Sequence, residues 1–354
     1  MLRTSFVRKL GAFAVAASAT ALAPSAHALS FVFTDVGSTP MTAVQLAAFQ
    51  AAGNYWSSKL NDNVTIYMNI AFSSLGSGIL GSTGSNFTTV TYANFKTNLI
   101  ADATSANDAL AVANLQAGPA LSFFATQGDL SVRFDNDGSV NNTLLGITTA
   151  NAKAVGLNPG TSATNPDANI TFSTNFAFDF DRSNGIGAGT YDFLTVAEHE
   201  IGHALGFVSG VDDIDFCAGP NNQCGLPNTV NRFENDWWYE PLDLFRYSAA
   251  GVMDVRVGGS PYFSVDGGVT ALATFSTGSA QNGGNGYQAS HFGTSVQNLM
   301  RPFVSAGQSY DASAVDLAAF DLIGWNLAPI PEPSTWLLMA FGLAALGRRA
   351  RARA

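Results

Sequence analysis

Histidine occurs four times in this chain, at His27, His199, His203 and His291. Two of them frame the run His199-Glu200-Ile201-Gly202-His203. On a helix, positions four apart share a face, so both imidazoles can reach one Zn²⁺ while Glu200 points alongside as a general base. Tetrahedral catalytic zinc commonly takes three protein ligands and leaves the fourth position to water. His27 falls in a segment read below as removable, which leaves His291 as the remaining histidine for the third place. Carboxylates also ligate zinc, so Asp212 and Asp213 just past the helix, and Glu234 and Glu240 beyond them, stand as rivals. The expected cofactor is one Zn²⁺ per chain.

A five-residue pattern can arise by chance, so its setting matters. Asp192-Phe193-Leu194-Thr195-Val196-Ala197-Glu198 leads into the run without Pro or Gly, and Asp192 or Thr190 can cap the start. Leu194, Val196, Ala197, Ile201, Ala204 and Leu205 make this a mostly buried helix. Such a helix has little reason to carry two imidazoles and a carboxylate inward unless a cation offsets their desolvation.

The elements that position this helix come before and after it. Ser30–Asp35 alternates like a strand, Thr42–Leu60 reads as an amphipathic helix, and Val64–Phe72 alternates again with Val64, Ile66, Met68 and Ile70 on one face. Helices are expected near Ala93–Ala103 and Ala106–Leu115, a strand near Leu130–Phe134, and a turn at Asp135-Asn136-Asp137-Gly138. A helix near Asn142–Val155 and a strand at Ala168–Phe172 follow, while Ser73–Asn86 and Gly278–Gly286 read as loops. Beyond Gly206 the aromatic and Gly-rich stretches, such as Trp237-Trp238-Tyr239 and Tyr262–Gly268, suggest short strands, with a final helix at Ala312–Leu322. The fold class is α+β: a mixed sheet and the His-bearing helix in an N-terminal lobe (29–207), then an irregular C-terminal lobe (208–327).

Both ends carry addresses. Arg3, Arg8 and Lys9 precede the apolar run Leu10–Ala23, and Ala26-His27-Ala28 offers small residues at the cleavage positions, so residues 1–28 read as a signal peptide. At the other end Pro331-Glu332-Pro333 precedes the apolar run Trp336–Gly347 and an Arg-rich tail from Arg348. As a helix that run reaches only ~18 Å, short of the ~30 Å hydrocarbon core. Residues 328–354 resemble the PEP-CTERM sorting signal of Gram-negative bacteria. The resemblance implies transient membrane contact, processing by an exosortase-type enzyme, and a cell-surface or extracellular destination.

Charge and cysteine count narrow the class further. The chain has 16 basic residues against 26 acidic ones, and seven of the basic residues lie in the two terminal segments. So acidic a body argues against nucleic-acid binding, which depends on Lys and Arg neutralising phosphate. Cys217 and Cys224 are the only cysteines, and in an oxidising compartment they are expected to pair; thiolate ligation of zinc is the lesser alternative. Asp212-Asp213-x-Asp215 and Asp135-x-Asp137-Gly138 are the places where Ca²⁺ could bind, but neither has EF-hand spacing.

His199-Glu200-x-x-His203-x-x-Gly206-Phe207 resembles the metzincin clan of zinc endopeptidases. In that clan the glycine, here Gly206, lets the chain turn sharply after the helix. Most of its families place the third histidine three residues further on, where this chain has Ser209. The leishmanolysin-like branch takes it from far downstream, followed by a Met-turn. Ala289-Ser290-His291-Phe292 and Asn298-Leu299-Met300-Arg301-Pro302 match that arrangement, and Ala314–Trp325 resembles the clan's closing helix. The resemblance implies that Met300 underlies the zinc as a packing floor without ligating it. It also implies a polypeptide substrate held as an added strand, for which Ile170–Phe172 is the candidate edge.

The function expected from these signals is a secreted or surface zinc endopeptidase, acting as a monomer, in which Glu200 assists attack of a zinc-activated water. The alternative is a catalytically weak, zinc-stabilised matrix or adhesion protein. Glu200 separates the two, because a purely structural zinc needs no general base.

Overall fold

The computed structural model describes residues 29–220 and 222–329. The expected signal peptide and nearly all of the sorting signal lie outside the described residues. The chain begins β1 (Ser30–Asp35), α1 (Ala43–Ser57), β2 (Thr65–Ser73), β3 (Gly81–Ser85), β4 (Phe87–Thr91), α2 (Tyr92–Asp102), α3 (Ala106–Asn114), β5 (Phe123–Thr126) and β6 (Val132–Asp135). It continues α4 (Val140–Thr143), β7 (Leu144–Thr148), α5 (Thr149–Ala154), β8 (Ala168–Ser173), β9 (Phe178–Asp179), β10 (Tyr191–Asp192) and α6 (Phe193–Ala204). The remainder is α7 (Val211–Cys217), β11 (Arg246–Ala249), β12 (Val252–Val255), β13 (Tyr262–Phe263), β14 (Ala273–Thr274) and α8 (Ala314–Leu322). Helices and several sheets alternate irregularly, so the class is α+β.

The first sheet runs β1-β2-β8-β3, parallel except for the last strand, which is antiparallel to β8. Ile66, Met68 and Ile70 alternate inward from β2, and Ile170 and Phe172 do so from β8. α1 packs against this sheet beside α6, which itself lies on β3 and β8. Thr42 caps α1, accepting from the Gln45 amide while Gln45 returns a bond to the Thr42 amide. Trp56, fully buried at the end of α1, donates its indole N–H to Glu198 O on α6 at 2.8 Å. Phe49, Phe172 and Phe193 meet with centroids 4.6–5.2 Å apart, fixing the first residue of α6 against sheet and helix.

Substrate pairing at Ile170–Phe172 is corrected by this arrangement. β8 is hydrogen-bonded on both sides, to β2 and β3, so it has no free edge. The edge on the β8 side belongs to β3, inside the segment read as a loop. The expected helix at 142–155 is also broken, into α4, β7 and α5, with β7 paired to β4. Leu144-Leu145-Gly146-Ile147 is a short apolar run of the kind that helix and strand share. Trp237-Trp238-Tyr239 forms no strand.

A second sheet runs β14-β13-β11-β12-β5-β6. It joins strands from both sides of position 207, and the buried apolar core is continuous across that point. Cys217 and Cys224 form a disulfide, with Cα atoms 5.1 Å apart.

Candidate metal centre

α6 starts where Asp192 accepts from the Thr195 amide and ends in a glycine turn. The Gly206 amide bonds to His203 O and the Phe207 amide to Gly202 O, the paired bonds of a Schellman cap. Gly206 has φ +114, and a Cβ there would lie 2.9 Å from Asn151 Cβ. Conformation and space both require glycine. Trp325 donates to Leu205 O at 2.7 Å, bracing the same end.

This geometry carries His199 and His203 to one face, where His291 joins them from the loop after β14. Their Nε2 atoms lie 3.0 Å (His199–His203), 3.2 Å (His199–His291) and 3.3 Å (His203–His291) apart. Each Nδ1 meets a backbone carbonyl: His199 to Leu299 O at 2.8 Å, His203 to Phe207 O at 2.7 Å, and His291 to Gln288 O at 3.1 Å. A carbonyl only accepts, so every Nδ1 carries its proton and every Nε2 presents a lone pair. Three lone pairs facing one another with no proton between them repel unless a cation lies among them. Tetrahedral zinc, with Zn–N bonds of about 2.0–2.1 Å, spaces its nitrogen ligands by about 3.3–3.4 Å, so the donor set fits. Burial is the main cause holding all three imidazoles toward the neutral, ligating form, His203 down to about 3 with a further contribution from His199.

Glu200 stands on the cleft side of the same helix turn. Its Oε2 accepts from Thr83 Oγ1 at 2.7 Å, and the same hydroxyl lies 2.9 Å from Glu200 O. A Cβ on Gly81 would come within 2.8 Å of Glu200 Oε1. β3 is thus glycine-bearing where it passes the carboxylate and supplies a threonine to orient it. Burial raises the carboxyl to about 7, opposed by the Thr83 bond.

The Met300 segment underlies the centre. A Cβ on Gly202 would meet Met300 Sδ at 2.6 Å, so the sulfur packs on the helix from below, where Met300 is fully buried. Asp316, at the start of α8, accepts from the amides of Leu299 (3.0 Å) and Met300 (3.1 Å). That grip fixes the Leu299 carbonyl on which His199 depends.

None of the rival carboxylates joins the imidazoles. Asp212 accepts from the Ala289 amide at 2.5 Å, the Ser290 amide at 2.9 Å and the Ser290 hydroxyl. It therefore clamps the segment bearing His291 without ligating. Ser209 donates its hydroxyl to Asp243 at 2.6 Å and its amide to Ser290 Oγ at 3.1 Å. Glu240 is buried at the head of a short 3₁₀ turn, and Glu234 faces Arg133. Arg133 Nη2 lies 2.7–3.1 Å from Asp135, Asp137 and Glu234, so that acidic group already encloses a cation. Asp215 accepts from the Ser279 amide and hydroxyl and from Asn282, tying α7 to the 278–286 loop.

A cleft of about 480 Å³ passes over the histidines, bordered by 78–83 on one side and by Gln288, Ser290, Arg301 and Phe303 on the other. Sequence reasoning missed Thr83, Gly81, the clamp at Asp212 and the anchor at Asp316. Only Asp316 left a signal, the capping box Ser313-x-x-Asp316.

The C-terminal end matches a PEP-CTERM protein-sorting motif over residues 329–352. The motif marks the chain for export, for recognition by an exosortase-type processing enzyme, and for a surface or extracellular location. No curated protein and no solved structure matches the chain. No helix among the described residues is long and apolar enough to cross a membrane.

Proposed function

We propose that the chain is an exported zinc-dependent endopeptidase of metzincin-like, leishmanolysin-like organisation, with an N-terminal lobe bearing the helix and a C-terminal lobe bearing the third ligand. The observation that carries this reading is the convergence of three Nε2 lone pairs, each enforced by a carbonyl at Nδ1, beside a carboxylate that none of the three imidazoles needs. His199, His203 and His291 would hold the metal. Bound there, zinc would supply Lewis acidity toward a substrate carbonyl and toward water.

The chain's own residues do the rest. Thr83 fixes one oxygen of Glu200, leaving Oε1 to take a proton from water and return it to the departing amine. β3, the edge strand of the first sheet that lies beside Glu200, offers backbone groups to an extended polypeptide. Gly81 keeps that edge close to Glu200, so a paired peptide would be held beside the proton carrier. Met300 and Asp316 keep the floor rigid, which preserves the ligand geometry between turnovers.

Zymography of the purified full chain, with and without chelator, tests the reading directly. Cleavage that chelator stops and Zn²⁺ restores is expected. Glu200→Gln should keep its zinc while losing turnover by about 10²–10⁴-fold. A Glu200→Gln variant as active as the parent would refute the assigned role, and a zinc-loaded chain that cleaves no polypeptide would favour the matrix or adhesion alternative.

A further inference from the structure

Arg301 lies directly after Met300 and lines the cleft that holds the three histidines and Glu200. It is only 8% exposed. A guanidinium has five N–H donors and keeps its charge in any protein setting. Here one protein bond is made, Nη1 to Tyr310 Oη at 3.2 Å, and Nε is buried without a partner. The planar group is held in place by rings, with Cζ 4.4 Å from the Phe303 centroid and 5.1 Å from that of Tyr310.

The other buried arginines are provided for differently. Arg232 donates to Cys217 O, Gly128 O, Thr229 O and Asn228 Oδ1. Arg246 donates to Ala289 O and Ser276 O, and its Nε, also without a hydrogen-bond partner, faces the Asp243 carboxylate at 3.9 Å. Arg301 has no carboxylate within ion-pair distance among the described residues, although acids greatly outnumber bases in this chain. The nearest acids in sequence are engaged elsewhere: Asp311 faces Arg182, and Asp316 accepts from Leu299, Met300 and Ser313. A buried, ring-clamped cation at the wall of a cleft, with donors to spare, is arranged for an anion that arrives with the ligand.

We propose that Arg301 anchors a carboxylate of the bound polypeptide and so selects acidic substrates, a specificity determinant that rests on the peptidase reading above. The carboxylate comes either from an Asp or Glu side chain near the scissile bond or from a free peptide C-terminus. Tyr310 sets the fork: its amide bonds to Thr195 Oγ1 at 2.9 Å, one helical turn before His199, and its hydroxyl takes Nη1. Arg301 therefore serves the stretch of cleft along the first half of α6, to one side of the metal ligands.

The test is equilibrium binding to zinc-loaded full-chain Glu200→Gln, which does not consume the probe. Short labelled peptides, capped at both ends, carry one Glu or one Gln moved through successive positions. A further peptide has no acid but a free C-terminus, beside its amide. In one register Glu should bind about tenfold or more tighter than Gln, or the free C-terminus tighter than the amide, and the advantage should shrink with added salt. Arg301→Gln, in the same background, should bring the ratio to near unity, and Arg301→Lys should keep part of it. Should Arg301→Gln not fold, the Arg301→Lys ratio and the salt dependence of the Glu200→Gln parent decide. No carboxylate advantage in any register, or one that survives Arg301→Gln, would overturn the proposal. Peptide cleavage without acidic preference would remove this assignment and leave the peptidase reading standing; carboxylate binding with no cleavage of any peptide would do the reverse.

Discussion

Replacing Asp212 with Asn should loosen the candidate metal centre without touching a ligand. Asp212 receives three hydrogen bonds from the residues just before His291: the amides of Ala289 and Ser290 and the Ser290 hydroxyl. The carboxamide has one oxygen, so in either orientation its NH₂ faces at least one of those backbone N–H groups. At least one charge-assisted bond is lost, which costs about 1.5–3 kcal/mol. The Ala289 carbonyl is still held by Arg246 and Ser290 Oγ by the Ser209 amide, so the segment shifts and does not unravel. If that cost falls on the conformation that presents His291, zinc affinity should weaken by about 10- to 100-fold. Competition against a chromophoric chelator gives the affinity, and thermal melts of the metal-free protein give the fold. His291→Ala is the reference for outright loss of a ligand and should be the weaker binder. A metal-free Tm that drops while zinc affinity stays within about twofold would show that Asp212 supports only the fold, refuting the coupling argued here.

Three further outcomes are expected. Chelation should lower the Tm of the parent chain, because three buried lone pairs are then left facing one another, and zinc at 100 times its Kd should restore about 2.7 kcal/mol; an indifferent Tm would contradict the metal reading. Gly206→Ala should destabilise by roughly 1–3 kcal/mol from the positive φ alone, with zinc affinity falling too because Phe207 O moves; calorimetry and the chelator assay read both, and an unchanged Tm would count against the turn as described. Burial raises Asp62, which accepts from the Asn326 amide, to about 7. A raised folded pKa means the native state binds the extra proton, so the associated stability is present at acid pH and is lost as pH rises through about 7. Asp62→Asn should therefore flatten the fall in Tm between about pH 4 and pH 7, and an identical slope in both proteins would exclude Asp62 as its source.

The helix carrying the centre was legible because its apolar spacing, its Asp192 cap and its terminal glycine agree with one another. α1 and β2 were legible from apolar periodicity alone. β3 was not: Gly-Ser-Thr-Gly-Ser has no apolar face, and it becomes a strand only because β8 offers it a partner. The helix expected across 142–155 failed for the opposite reason, since Leu144–Ile147 is apolar enough for either state and pairing with β4 decides it. Local pattern reports what a segment can be, and the neighbour chooses.

A similar division runs through the centre itself. The groups that face the metal position are rare side chains, and four histidines in the whole chain left few ways to assemble them. What makes them ligands is different in kind. His199, His203 and His291 are each fixed in one tautomer by the carbonyls of Leu299, Phe207 and Gln288, and a carbonyl is present at every residue. Side-chain identity at those three positions contributes nothing to the bond, so no residue pattern can announce it. The carbonyls are aimed by other groups: Asp316 for Leu299 and the adjacent glycine turn for Phe207, with Asp212, distant in the chain, holding the segment between Gln288 and His291. Substitutions at Asp212, Asp316 and Gly206 should accordingly act on metal affinity through main-chain geometry, and their effects should be non-additive wherever two of them steady the same imidazole.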